Sequence, residues 1–209
     1  MRPVWARVLR IAPWAVVSFA LFLATAVPVA QPQASASASS EIVLTVDPAQ
    51  SKVHWSVDST LHMVHGTFAL KSGNIHFDPE TGKAGGEVVV TASSGESGNT
   101  SRDKRMHKEI LETAKYPEAV FCPKQIEGKV AKTGTSDVKL VGVFSIHGKD
   151  HDLTTQVHAE LMGGRWTGTG EFEVPYVKWG IKDPSNFLLK VAPVVRVELE
   201  LSGEVAGAR

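Results

Sequence analysis

The most constraining stretch of this chain lies near its end. In VVRVELELSG, the residues Val195, Val197, Leu199 and Leu201 alternate with Arg196, Glu198, Glu200 and Ser202. A β-strand turns successive side chains to opposite faces, so this spacing buries one face of a sheet and wets the other. The period of two returns in SKVHWSVDS, where Val53, Trp55 and Val57 alternate with Lys52, His54 and Ser56. It returns again in GNIHF, where Ile75 and Phe77 lead into the turn residues Asp78-Pro79-Glu80-Thr81-Gly82. EVVVTA, AVFCPKQIEGKV, DVKLVGVFSIHGKDHDLTTQVHAEL and RWTGTGEFEVPYV extend the series, the third with a turn expected at Gly148-Lys149-Asp150. The pattern predicts an all-β protein of about eight or nine antiparallel strands. A sheet of that size closes into a barrel or splits into a sandwich, because open edges invite aggregation. Gly142, Gly168 and Gly170, inside strands, suit the sharp bends of a small barrel.

One segment breaks the rhythm. NTSRDKRMHKEILETAKYP, residues 99–117, predicts an amphipathic helix over about 101–115. Thr100 or Ser101 is the expected cap, and Asp103 sits in the first turn, where the helix dipole favours an anion. Met106, Ile110 and Ala114, with Leu111 beside them, form one apolar stripe, and Pro117 ends the helix. The free apolar surface of a barrel is its open end, so the helix is expected to close the mouth, over a cavity or over a packed core. Arg102 and Asp103 are expected to pair with one another or with the barrel rim.

The amino terminus has a different composition. Arg2, Arg7 and Arg10 precede IAPWAVVSFALFLATAVPVA, and no acidic residue occurs before Glu41. This is the layout of a secretory signal peptide, expected over 1–30, with a cut after Ala26 or Ala30; an uncleaved anchor is the competing reading. QPQASASASSE, residues 31–41, reads as a flexible linker, and the folded domain as 42–205. No stable membrane span is then expected after cleavage. Lys and Arg balance Asp and Glu at 22 each, so no net field argues for nucleic acid. Cys122 is the single cysteine, so no internal disulfide can form.

Catalytic and metal patterns are weak. His62 and His65 are three apart and His147 and His151 four apart, but on strands and turns these spacings do not converge on one ion. Gly95-Glu96-Ser97-Gly98 places its second glycine one residue too early for a nucleophile elbow. Asn99-Thr100-Ser101 matches a glycosylation acceptor but is better used to start the helix. No enzyme, cofactor or metal site is expected.

Several phrases together resemble the YceI-like family of exported lipid- or polyisoprenoid-binding proteins: VDPAQSKVHWSV, HGTFALKSGNIHFDPETG, SRDKRMHKEILETAKYPEAVF, VGVFSIHGKDHDL and VKWGIKDPSNFLLKVAPVVRVELEL. The resemblance spans residues 43 to 203. It implies a lipocalin-like antiparallel barrel, in the periplasm or secreted, that holds an isoprenoid or similar long-chain lipid, usually as a homodimer and without catalytic residues. Two departures touch the rim: the basic cluster Lys104, Arg105, His107 and Lys108, and Asp150-His151-Asp152, where the family often carries an uncharged turn. Following the alternation, the inner face is assigned to Val53, Trp55, Val57, Phe68, Ile75, Phe77, Phe121, Phe144, Ile146, Phe172, Phe187, Leu189, Val197 and Leu199. With Met106 and Ile110 from the helix these are the candidate ligand contacts; a filled core with the same residues, in an envelope stress or interaction module, is the alternative.

Overall fold

A computed structural model describes residues 41–206. The expected signal peptide, and all but the last residue of the expected linker, lie outside the described residues. Nine strands run in chain order: β1 Ile42–Val46, β2 Lys52–Val57, β3 Val64–Phe77, β4 Ala84–Glu96, β5 Glu118–Glu127, β6 Gly134–Ile146, β7 Lys149–Met162, β8 Arg165–Val174 and β9 Val195–Ala206. All pairings are antiparallel, and β3 pairs with β4 to close the sheet on itself.

The closed barrel has eight strand positions. β1 and β2 share one of them: both lie between β3 and β9, with Leu44 opposite Ile75 and Val205, and Trp55 opposite Gly66 and Val197. The break between them is held by Ser51, whose hydroxyl donates to the Asp47 carbonyl (2.8 Å) and accepts from the Ser202 amide (3.1 Å). Among the described residues every strand has a partner on both sides, which removes the template for strand addition.

Register shifts explain a parity that regular strands would forbid. Phe68 and Ile75 are seven apart, yet both face the interior, because β3 carries irregularities between Thr67 and Ala69 and between Leu70 and Ser72. In β5, Phe121 and Ile126 are five apart and both face inward across the shift at Pro123/Gln125. An inserted residue flips every side chain beyond it to the other face. At Pro123 the missing N–H falls where the ladder is already disrupted. Gly66 stands opposite Trp55 because a Cβ there would lie 2.4 Å from the indole ring and 2.2 Å from the Glu96 carbonyl.

The β6–β7 connection is tighter than expected. Ile146 pairs directly with Lys149, so the turn is His147-Gly148, and Lys149 and Asp150 already belong to β7. Both turn residues have positive φ (52° and 71°), the type I′ pattern whose twist matches the flanking strands. The Asp150-His151-Asp152 segment is therefore strand, not loop.

The helix is shorter than the sequence predicts. An α-helical part, α1, covers Thr100–Arg105, and a π-helical turn follows over Met106–Ile110. Asn99, rather than Thr100 or Ser101, is the cap: its Oδ1 accepts from the Ser101 and Arg102 amides at 3.1 and 3.0 Å. The Leu111 amide donates to the Met106 carbonyl, five residues back, and Glu112 then takes a φ of 46°, which ends the helix. Ala114 lies beyond it and is exposed, so the apolar stripe stops at Leu111.

Candidate ligand-binding site

The antiparallel order places the β2–β3, β4–β5, β6–β7 and β8–β9 connections at one end of the barrel, and α1 with its π-helical turn belongs to this end. Below them the interior is hollow. A cavity of about 570 Å³ is lined by every strand, by the helical segment and by the connections at this end. That volume lies within the roughly 300–1,000 Å³ of small-molecule sites.

The wall follows the inward parity of each strand. β9 contributes Val195, Val197, Leu199 and Leu201, β8 contributes Phe172 and Val174, and β7 contributes Leu153, Val157 and Leu161. Of the sequence-assigned residues, Val53, Trp55, Val57, Phe68, Ile75, Phe77, Phe121, Phe144, Ile146, Phe172, Leu189, Val197 and Leu199 all face this space. Met106 and Ile110 face it from the π-helical turn, joined by Leu111. Phe187 does not: it is 95 % exposed. The assignment fails there because residues 175–194 form no regular strand, so alternation carries no meaning in that segment.

The lid is tied down by polar contacts. Glu109 accepts from Lys182 Nζ at 2.9 Å, reaching the β8–β9 connection. His147 Nε2 lies 2.7 Å from Glu112 Oε2, and the His147 ring packs on Tyr116 with centroids 4.4 Å apart. Arg102 and Asp103 do not pair with one another. Both grip Ser97 just after β4: Arg102 Nε donates to the Ser97 hydroxyl (2.7 Å) and its Nη2 to the Ser97 carbonyl (2.9 Å), while Asp103 accepts from the Ser97 amide (3.0 Å) and hydroxyl. His107 Nε2 meets the Gly95 carbonyl at 2.8 Å.

An aromatic chain backs one side, with Phe144 and Phe172 lining the cavity. His151 stacks on Trp179 (4.0 Å, 6° between planes), Trp179 meets Phe144 (6.1 Å), and Phe144 meets Phe172 edge to face (5.8 Å). Sequence reasoning missed Leu153, Leu161 and Leu201 among the wall residues of the strands, and Tyr116, Tyr176 and Ile181 in the connections. A cluster of aromatic residues in the connection PYVKWG was the available signal.

Polar atoms are sparse along the wall. Thr155 is buried and donates its hydroxyl proton to the Glu171 carbonyl at 2.8 Å. Two donors of cavity-lining residues, Trp55 Nε1–H and Tyr176 O–H, are buried with no hydrogen-bond partner among the described residues. Burial, and secondarily the charge of Asp183, pushes the Tyr176 phenol up to about 12, so it keeps its proton. Such donors are costly to leave unpaired.

The same architecture occurs in known proteins. The barrel of BcnA from Burkholderia cenocepacia superposes with a TM-score of 0.62 at 20 % identity, covering 76 % of this chain and 99 % of that one. A polyisoprenoid binding domain from Saccharophagus degradans superposes at 0.63 and 18 % identity, covering 78 % and 98 %. A UPF0312 protein of Shewanella sp. (strain ANA-3) is 32 % identical over 127 residues, 57 % of this chain. That match spans 64 % of the relative, just under two thirds of its length. The profile of the YceI-like domain covers residues 44–203, from β1 through nearly all of β9 and including the lid and both its anchoring connections, so this chain belongs to the YceI-like family.

Proposed function

We propose that this chain is an exported, non-enzymatic binding protein that holds a polyisoprenoid-like or other amphipathic long-chain lipid inside its barrel, in the periplasm or outside the cell. One observation carries the reading: the interior is a roofed apolar cavity of about 570 Å³ rather than a packed core. Each CH₂ that leaves water for such a space gains about 0.8 kcal/mol. A chain of isoprene units offers many such groups. The polyisoprenoid binding of the Saccharophagus domain supports the same ligand class. The leader-like amino terminus supports export.

The test is chemical extraction. Protein purified from the envelope of an expressing host is extracted with organic solvent, and the extract is weighed by mass spectrometry. About one long-chain lipid per chain is the expected result. A clean extract, with no rise in thermal midpoint on adding prenyl compounds, would sink the carrier reading, since a ligand at a hundred times its Kd should add about 2.7 kcal/mol.

A further inference from the structure

The mouth of the barrel carries large apolar side chains in water. Phe187 is 95 % exposed, Leu188 85 %, Leu61 77 % and Met63 48 %. They are not loose ends. Asn186 Oδ1 accepts from the Leu188 and Leu189 amides at 2.9 and 2.8 Å, and its own amide donates to the Leu189 carbonyl at 2.8 Å, so Phe187 and Leu188 form the tip of a closed turn. Turn tips normally take Gly, Asn, Asp or Pro. A second set of bonds ties this connection to the one carrying Leu61 and Met63: Ser59 bridges Val191, the Thr60 amide donates to the Lys190 carbonyl (3.0 Å) and the Ala192 amide to the Asp58 carbonyl (2.8 Å). Two connections are thus held side by side with their apolar residues outward.

This patch is continuous with the cavity. Leu61 and Leu189 both line it, and Leu189 directly follows the exposed Leu188. The charge around it is also distinctive. Residues 41–206 hold 18 Lys and Arg against 22 Asp and Glu, yet the four connections at the mouth hold eight against five. The rest of the domain is strongly acidic by difference. Apolar side chains at turn tips, on connections that together carry net positive charge on an acidic domain, match a surface of phosphates over acyl chains.

We propose that the mouth docks on an anionic lipid bilayer, with Phe187 and Leu188 entering the acyl boundary and those Lys of the mouth connections that the lid does not pair meeting headgroup phosphates. The inference rests on lipid carriage: docking mouth-down brings the apolar cavity against the phase from which a water-insoluble cargo is drawn.

The experiment is co-sedimentation of the exported protein with vesicles of equal parts phosphatidylglycerol and phosphatidylcholine, and with phosphatidylcholine alone. Binding is expected on the anionic vesicles and is expected to fall in about 0.5 M salt, where the screening length is a few ångströms. The double variant Phe187→Ser/Leu188→Ser should lose about tenfold in partitioning, because binding scales with the apolar area buried. Met162→Ser removes an exposed apolar residue (63 %) at the opposite end and should change nothing. Phe187→Trp should shift its emission to the blue on anionic vesicles. Equal partitioning of the double variant and its parent, or an unshifted spectrum of the Phe187→Trp variant, overturns the proposal. So does a double variant that turns a dimer into a monomer in size-exclusion chromatography while vesicles bind neither form, which would make the patch a self-association surface. Solvent extraction of the same samples separates this proposal from the carrier reading: cargo retained without rim-dependent docking refutes docking alone, and rim-dependent docking with empty extracts refutes carriage alone.

Discussion

His151 shows how much one residue's meaning depends on its neighbours. In sequence it is a histidine between two aspartates, in a segment that reads as a charged turn. In the structure it lies flat on Trp179, its Nε2 buried without a partner among the described residues. Burial, and after it the charge of Lys149, holds its imidazole below the ordinary value near 6.5, with Asp150 opposing. The sign of the consequence follows. Just below pH 6.5 the unfolded chain takes up a proton that the folded chain refuses, so this contribution to stability is complete above about pH 6.5 and is lost as the pH falls through the lower folded value. His151→Phe keeps the stack and removes the titration. Its urea midpoint should therefore fall less than the parent's between about pH 8 and about pH 5.5. Parallel curves for the two proteins would show that His151 is not held neutral.

At the scale of elements, the helical segment borders the cavity at the barrel mouth, and its ties are local. The His147-Gly148 turn positions an imidazole against Glu112 and Tyr116 while holding His147 at a φ of 52°. Asn tolerates that backbone and makes Asn-Gly, a favoured type I′ pair. His147→Asn should thus leave the thermal midpoint within a degree or two of the parent's, since a partly exposed polar contact of this kind contributes about 0–1 kcal/mol. Dissociation of a fluorescent long-chain probe, measured by stopped flow, should be several times faster. An unchanged rate would mean that this contact does not restrain the lid. The helix itself was only half legible. Asp103, the Met106–Ile110 spacing and the terminal proline were plain in the sequence, but the π-helical turn and the early stop at Glu112 were not. Both are set by the need to seat Met106, Ile110 and Leu111 together over the cavity, a demand made by the barrel and not by helix propensity.

For the whole molecule, the question is one of volume. Val90 lines the cavity from β4. Val90→Phe in a packed core would cost about 1–3 kcal/mol by overpacking. Here it should cost less than about 1 kcal/mol in chemical denaturation, because the added atoms enter space already empty, and it should lower the lipid recovered per chain. A full overpacking penalty would place packed side chains where the cavity is described. Alternation determined that this chain makes strands and which faces of them are apolar, and the stripe of Met106, Ile110 and Leu111 determined that one amphipathic segment must lie on an apolar surface. Those are local matters, written in each window of a few residues. Closure through β3 and β4, the bulges that bring Phe68 and Ile75 to one face, the exposure of Phe187 and the hollow interior belong to the tertiary structure. Each depends on how far apart the opposing walls stand, and that distance is fixed by strand number and register around the closed sheet, which no short stretch of sequence contains.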